Sequence, residues 1–175
     1  MQFFKKNSVK NLCLLGLMGS GKSIIGKELS KLYNVDFLDT DYIIEEETGK
    51  KIAFIFKNYG EMYFREIEEK ICLKILERRN CIIALGGGSI VSTKVRELIT
   101  KNSFSIYLKV DIKILIDRIK NTRKRPLLNN VDRNEVLERL YEQRKKFYSK
   151  ANLTIENNFE KQEIVHKINS VIEKL

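Results

Sequence analysis

The residues with the most specific chemistry are Gly16-Leu17-Met18-Gly19-Ser20-Gly21-Lys22-Ser23. Glycines at the first and sixth positions, followed by Lys and Ser, fit the P-loop pattern. Such glycines let backbone N–H groups turn inward around phosphate oxygens, and a following helix adds partial positive charge at its N-terminus. Lys22 can reach the β- and γ-phosphates from a solvent-facing loop, and the Ser23 hydroxyl can hold Mg²⁺. The pattern alone does not separate kinases from ATPases or GTPases. Asp39 and Asp41 follow, two residues apart. In an extended segment both would project to one side, where Asp39 could bind Mg²⁺ through water and Asp41 could orient or deprotonate an acceptor hydroxyl. The competing reading makes Asp41 a helix N-cap. Arg65 sits in an apolar helical stripe and needs either a carboxylate such as Glu68 or a ligand. Gly86-Gly87-Gly88 permits close backbone approach, or simply a tight turn. Arg144 and Arg123-Lys124-Arg125 could bind anions or could be solvated basic surface.

These groups need elements to hold them. An apolar run over 9–15 predicts a buried strand leading into the glycine loop, with a helix over 22–32 bearing Ile25, Leu29 and Leu32 on one face. Strands are expected at 35–38, 81–85, 104–108 and 153–156. Helices are expected at 42–47, 52–57, 61–77 (Phe64, Ile67, Ile71, Ile75), 92–100, 112–119, 134–150 and 161–174 (Ile164, Ile168, Val171, Leu175). Residues 120–133 are polar, basic and broken by Pro126, so they read as a mobile loop. Strands alternating with helices imply an α/β fold with a parallel sheet covered on both faces. Ligands in such folds bind beyond the carboxyl ends of the strands, and every motif above falls at or beside one.

The 175 residues, 43% hydrophobic and 32% charged, suit one compact domain over 1–175. No apolar run reaches the roughly 20 residues of a membrane helix, and the first residues do not resemble a signal peptide. Three cysteines in apolar segments read as buried free thiols in a cytoplasmic protein. With His166 as the one histidine, histidine-triad catalysis is not expected. The net charge of +10 is spread along the chain without aromatic interleaving, which fits an anionic small-molecule substrate as well as nucleic acid.

Taken in order, the phosphate loop, Phe37-Leu38-Asp39-Thr40-Asp41, Glu45 with Thr48-Gly49, Ile55-Phe56, Gly60-Glu61, Phe64-Arg65-x-x-Glu68, Gly86-Gly87-Gly88, Arg125-Pro126-Leu127-Leu128 and Arg144-x-x-x-Tyr148 resemble shikimate kinase. The resemblance runs from Gly16 to Tyr148. It implies a P-loop, nucleoside monophosphate kinase-like fold with a five-stranded parallel sheet of order 2-3-1-4-5, and transfer of the ATP γ-phosphate to the 3-hydroxyl of shikimate. By position, Asp41, Arg65, Gly87 and Arg144 would bind shikimate, within a substrate-binding segment about 41–68. Gly19, Ser20, Gly21, Lys22, Ser23 and Ile24 would hold ATP, with Ser23 on Mg²⁺ and Asp39 on a magnesium-bound water. Asp41, Lys22 and Arg125 would be catalytic. Arg125 would close from a lid at about 120–133, and Arg118 would lie near adenine. Ile24 stands where the family usually has threonine, so its backbone N–H would do the binding. The segment after the last strand matches poorly, and Lys161 is its one candidate contact. The expected partners are shikimate and ATP, with neither nucleic acid nor membrane, and the expected state is a monomer. Another small P-loop metabolite kinase, such as a gluconate kinase, is the runner-up.

Overall fold

Strands buried on both faces lose the alternation of polar and apolar residues and read as continuous apolar runs. In the computed structural model, which describes residues 9–119, 132–158 and 160–175, β1 (Asn11–Leu15) and β3 (Cys81–Ala84) are buried along their whole length. With β2 (Asp36–Asp39), β4 (Ser103–Lys109) and β5 (Leu153–Glu156) they form a parallel sheet of order β2-β3-β1-β4-β5. This is the expected order. The most buried strands are the central ones, whose backbone groups are paired on both sides.

The helices are α1 (Lys22–Tyr33), α2 (Thr40–Thr48), α3 (Ile52–Leu76), α4 (Thr93–Asn102), α5 (Ile112–Ile119), α6 (Arg133–Tyr148) and α7 (Lys161–Ile172). A short 3₁₀ turn, Ser89–Val91, follows the glycine triplet; the sequence reading did not include it. Successive strand residues enter opposite cores. Leu12, Leu14, Ile82, Ile106 and Leu108 pack with Ile25 and Leu29 of α1 and with Ile164, Ile168 and Ile172 of α7. Cys13, Leu15, Ile83 and Tyr107 face the other layer, built from α3, α4, α5 and α6. Burial pushes the Cys81 thiol up to about 11 and the Cys72 thiol up to about 12, so both are protonated and unreactive near neutral pH.

Several stripes shift from their expected positions. Leu32 is 52% exposed, because the buried face of α1 consists of Ile25, Gly26 and Leu29. On α7 the buried residues are Ile164, Ile168 and Ile172, at i, i+4 and i+8, while Leu175 lies outside the helix and is 41% exposed. The helices expected at 52–57 and 61–77 join into one segment with a kink at Gly60 (φ 82°, ψ 173°), a conformation that glycine adopts at little cost. The lid expected at 120–133, with Arg125, lies outside the described residues except for 132–133. No described helix is long and apolar enough to cross a membrane.

At the amino ends of the strands, fully buried Asn11 ties three elements together. Its Nδ2 donates to the carbonyls of Leu76 and Arg78, each at 3.0 Å, and its Oδ1 accepts from Ser103 Oγ at 2.5 Å. A buried polar network of this kind is costly to half-empty. Asn11→Ala is therefore expected to lower unfolding free energy by about 2–3 kcal/mol in urea titrations. Ligand affinities should not change, since the network lies at the opposite end of the sheet from the cavities described next. A loss below about 0.5 kcal/mol, the range of neutral surface changes, would contradict this account.

Candidate active site

The loop between β1 and α1 lies at the carboxyl end of the central strand. Gly16, Gly19 and Gly21 all have positive φ (146°, 80° and 85°). Gly21 is the N-cap of α1 and supplies no capping side chain. The first-turn N–H groups, which no helix can satisfy internally, are thus left to point beyond the helix end. Glycine at the N-cap costs only about a few tenths of a kcal/mol relative to a capping side chain. Burial of Ile25 and Leu29, worth about 1.5–3 kcal/mol each, outweighs it.

A cavity of about 480 Å³ opens in front of this loop, lined by Gly19, Gly21, Lys22, Ser23, Ile24, Asp39 and Asp41, with Gly86 and Gly87 behind and Arg118, Asn157 and Lys161 at the far end. Ser20 belongs to the loop but not to the cavity wall. It is 1% exposed, and its hydroxyl lies 3.5 Å from Lys22 Nζ. Lys22 is the first residue of α1 and partly buried, so it is not on a solvent-facing loop. Its ammonium donates to the carbonyls of Gly16 (2.8 Å) and Leu17 (2.9 Å), which hold it under the loop. Ile24 exposes 59% of its surface beside the cavity.

The two aspartates are not arranged as on an extended strand. β2 ends at Asp39, and Asp41 is in the first turn of α2. The capping residue is Asp39, whose Oδ1 accepts from the Asp41 N–H at 3.0 Å while Oδ2 accepts from Ser23 Oγ at 2.5 Å. The cap assignment for Asp41 is therefore corrected, although both carboxylates reach the same cavity. Ser23 and Asp39 offer one hydroxyl and one carboxylate at a single point. Among the described residues no cluster of three or more His, Cys, Asp or Glu side chains could hold a metal. That sparse oxygen set suits Mg²⁺, which keeps waters and phosphate oxygens as its other ligands.

Behind the glycine triplet is a second cavity, of about 810 Å³, lined among others by Arg65, Glu68, Gly88, Arg139 and Arg144. Each glycine makes room for a different neighbour. A Cβ on Gly86 would stand 2.4 Å from Glu68 Oε1 and 3.1 Å from Asp41 Oδ1. One on Gly87 would stand 3.2 Å from the Gly16 carbonyl and 3.3 Å from Met18 N, both backbone atoms of the phosphate loop. One on Gly88 would stand 2.1 Å from Arg65 Nη1.

The two arginines differ in pairing. Arg65 makes ion pairs with Glu68 (2.6 Å) and Glu61 (2.8 Å). Burial works against its charge, but these carboxylates outweigh it and hold the guanidinium above its ordinary pKa. Arg65 thus has the carboxylate partner the sequence called for, and it also lines a cavity. Buried Glu68 is pushed up, chiefly by burial, with Arg65 opposing. Arg144 is 4% exposed, which overturns the solvated-face alternative. Its Nη1 donates to the Gly87 carbonyl at 3.1 Å, beside the Tyr148 hydroxyl at 2.7 Å. Its Nε is buried without a hydrogen-bond partner, and no carboxylate lies within ion-pair distance among the described residues. Burial pulls its pKa down; Tyr148 opposes this, and Arg65 pulls the same way.

Tyr148 stacks on Tyr107 at 4.9 Å and so fixes the end of α6 that carries Arg144. Sequence reasoning missed Asn157, which is 4% exposed just after β5 and touches the phosphate loop. No motif marks it, because a lone Asn after a strand reads as turn residue. Arg118 is on α5 and Lys161 on α7, both at the far end of the first cavity.

A family model for shikimate kinase matches residues 18–173. The shikimate kinase of Bartonella henselae is 39% identical over 154 residues, which cover 88% of this chain and 73% of that protein. That of Xylella fastidiosa strain M23 is 40% identical over 144 residues, covering 82% and 80%. Among solved structures, shikimate kinase from Acinetobacter baumannii in complex with shikimate superposes with a TM-score of 0.92 at 30% identity, covering 98% of this chain and 97% of that one. The described motifs assemble at the carboxyl end of the sheet, and the similarity runs through nearly the whole chain: the protein belongs to the shikimate kinase family.

Proposed function

We propose that the protein transfers the γ-phosphate of ATP to the 3-hydroxyl of shikimate, giving shikimate 3-phosphate and ADP. The observation that carries this reading is Arg144, a buried guanidinium with an unpartnered Nε and, among the described residues, no carboxylate within ion-pair distance, set across the glycine triplet from the phosphate loop. A buried charge without a counter-ion is costly, and a ligand carboxylate would relieve it through charge-assisted hydrogen bonds. Shikimate has one carboxylate and three hydroxyls on a small ring. Its carboxylate fits the side of Arg65 and Arg144, and its hydroxyls face Asp41 along the wall made by Gly87.

Residues Gly19, Gly21, Ser23 and Ile24 would meet the ATP phosphates through backbone N–H groups, with Ser20 supporting the loop from beneath. Lys22 would exchange its carbonyl contacts for phosphate oxygens. Ser23 would hold Mg²⁺ directly and Asp39 would hold it through water. When bound, the ion neutralises charge between the β- and γ-phosphates. Asp41 would orient the attacking hydroxyl and take up its proton as the new O–P bond forms and the bond to the ADP oxygen breaks. Family resemblance adds Arg125, closing from 120–133 onto the phosphates, and Arg118 near adenine. The same reading gives one domain over 1–175 with a substrate-binding segment about 41–68. It describes a cytoplasmic monomer whose basic charge serves two anionic substrates rather than nucleic acid or a membrane.

Coupled ADP-release assays with shikimate, gluconate and no acceptor test the assignment directly. ADP formation should depend on shikimate, and equal turnover with gluconate would sink the reading. Asp41→Asn keeps the shape but not the basicity, so kcat should fall by about 10²–10⁴ while ATP affinity changes little; a wild-type kcat would leave Asp41 without a catalytic role. Gly88→Ala isolates Arg65 from its own chemistry. The Gly88 backbone (φ −92°, ψ −21°) accepts alanine, but the new Cβ must displace the Arg65 guanidinium. A displacement of that order can cost up to about 10²-fold, so KM for shikimate should rise tenfold or more at nearly unchanged thermal stability and KM for ATP. An unchanged shikimate KM would remove Arg65 from the acceptor site.

A further inference from the structure

The part of the chain least like a motif also touches the phosphate loop. Asn157 follows β5, and its buried Nδ2 donates to the Ser20 carbonyl at 2.7 Å. Its backbone N–H donates to the Lys109 carbonyl at the end of β4, at 2.7 Å. Its own carbonyl accepts from Arg118 Nη2 at 2.9 Å. The next residue, Asn158, exchanges two hydrogen bonds with Asp111 at the start of α5 (3.0 and 3.1 Å). The fit is close, since a Cβ on Gly21 would stand 2.9 Å from Asn157 Nδ2.

We propose that Asn157 is the positioning residue of the phosphate loop. By holding the Ser20 carbonyl away from the cavity, it turns the following peptide so that its N–H faces the phosphates, and by accepting from Arg118 it fixes that side chain at the nucleoside end. A peptide unit has one orientation: tying back its oxygen aims its hydrogen the opposite way. Without Nδ2, a buried carbonyl loses its partner and can swing toward the cavity, where its negative end would repel a phosphate. Asn157 thus acts through the loop rather than by touching the transferred group. The proposal rests on the phosphate-loop part of the reading above and is independent of shikimate as acceptor.

Inorganic tripolyphosphate, which has phosphates but no nucleoside, separates this role from a direct nucleotide contact. Calorimetric titration of the full chain should show Asn157→Ala and Asn157→Ser weakening ADP and tripolyphosphate alike, each by about tenfold, as loss of one hydrogen bond to a buried group implies. The urea midpoint should fall modestly, because the Ser20 carbonyl loses its buried partner, so the two ligand affinities carry the test. Weakened ADP with unchanged tripolyphosphate would make Asn157 a nucleoside contact and overturn the proposal, as would unchanged affinity for both. Should neither variant fold, the wild-type carboxamide decides by ¹⁵N NMR: its protons should stay protected from exchange with and without tripolyphosphate, and loss of protection on binding would overturn the proposal. Failure of the wild type to bind tripolyphosphate at all would instead count against the phosphate-loop reading.

Discussion

Three consecutive residues without side chains, Gly86 to Gly88, set how closely the two halves of the site approach. The phosphate-loop backbone packs on Gly87, the Asp41 and Glu68 carboxylates on Gly86, and the Arg65 guanidinium on Gly88. Any Cβ in this row would push these groups apart. The triplet follows the end of β3, the strand between β1 and β2, so it faces the loop after β1 on one side and the aspartates after β2 on the other. Strand order and the absence of three methyl groups thus act together: the first brings the loops side by side, and the second lets them touch.

Charge in the site is arranged around this wall. On the phosphate side, Ser23 is held by Asp39 and so is oriented before any ligand arrives, whereas Lys22 is tied back to loop carbonyls. On the other side, Arg65 is neutralised by Glu61 and Glu68, whereas Arg144 has a carbonyl acceptor and one unpartnered nitrogen. The half-buried Arg65 guanidinium and the buried Arg144 guanidinium repel, and the carboxylates on Arg65 lower that cost. The remaining unbalanced positive charge then suits a single ligand carboxylate. Preorganised groups of this kind cost no reorganisation when charge develops during transfer.

The support for these groups comes from far along the chain. Tyr148 and Arg144 share the Gly87 carbonyl from α6, and Tyr107 stacks on Tyr148 from β4. Arg96 of α4 donates to the carbonyls of Ile90 and Val91 and lies 4.2 Å from the Phe147 ring, so the 3₁₀ turn after the triplet is tied to the same helix. Asn157 does the equivalent for the phosphate loop from the end of β5. Helices and strands on both sides of the sheet therefore converge on short loops, where positions accurate to fractions of an ångström matter.

Apolar periodicity and glycine spacing, which act over a few residues, already determined the strands and helices along the chain, the parallel sheet and the phosphate loop, whereas Asp39, Asp41, Arg65 and Arg144 were singled out as a set by the family resemblance. The residues themselves left Asp41 between cap and base, and Arg144 between surface and site. Tertiary structure removed one alternative in each case: Asp39 takes the cap, and packing against Gly87 and Tyr148 buries Arg144. The role of each glycine in the triplet, the tether of Lys22 to loop carbonyls and the grip of Asn157 on Ser20 were likewise invisible beforehand. Each depends on which atom of a distant element comes within 3 Å or so, and no periodicity along the chain encodes a distance between residues that meet only when the sheet is assembled.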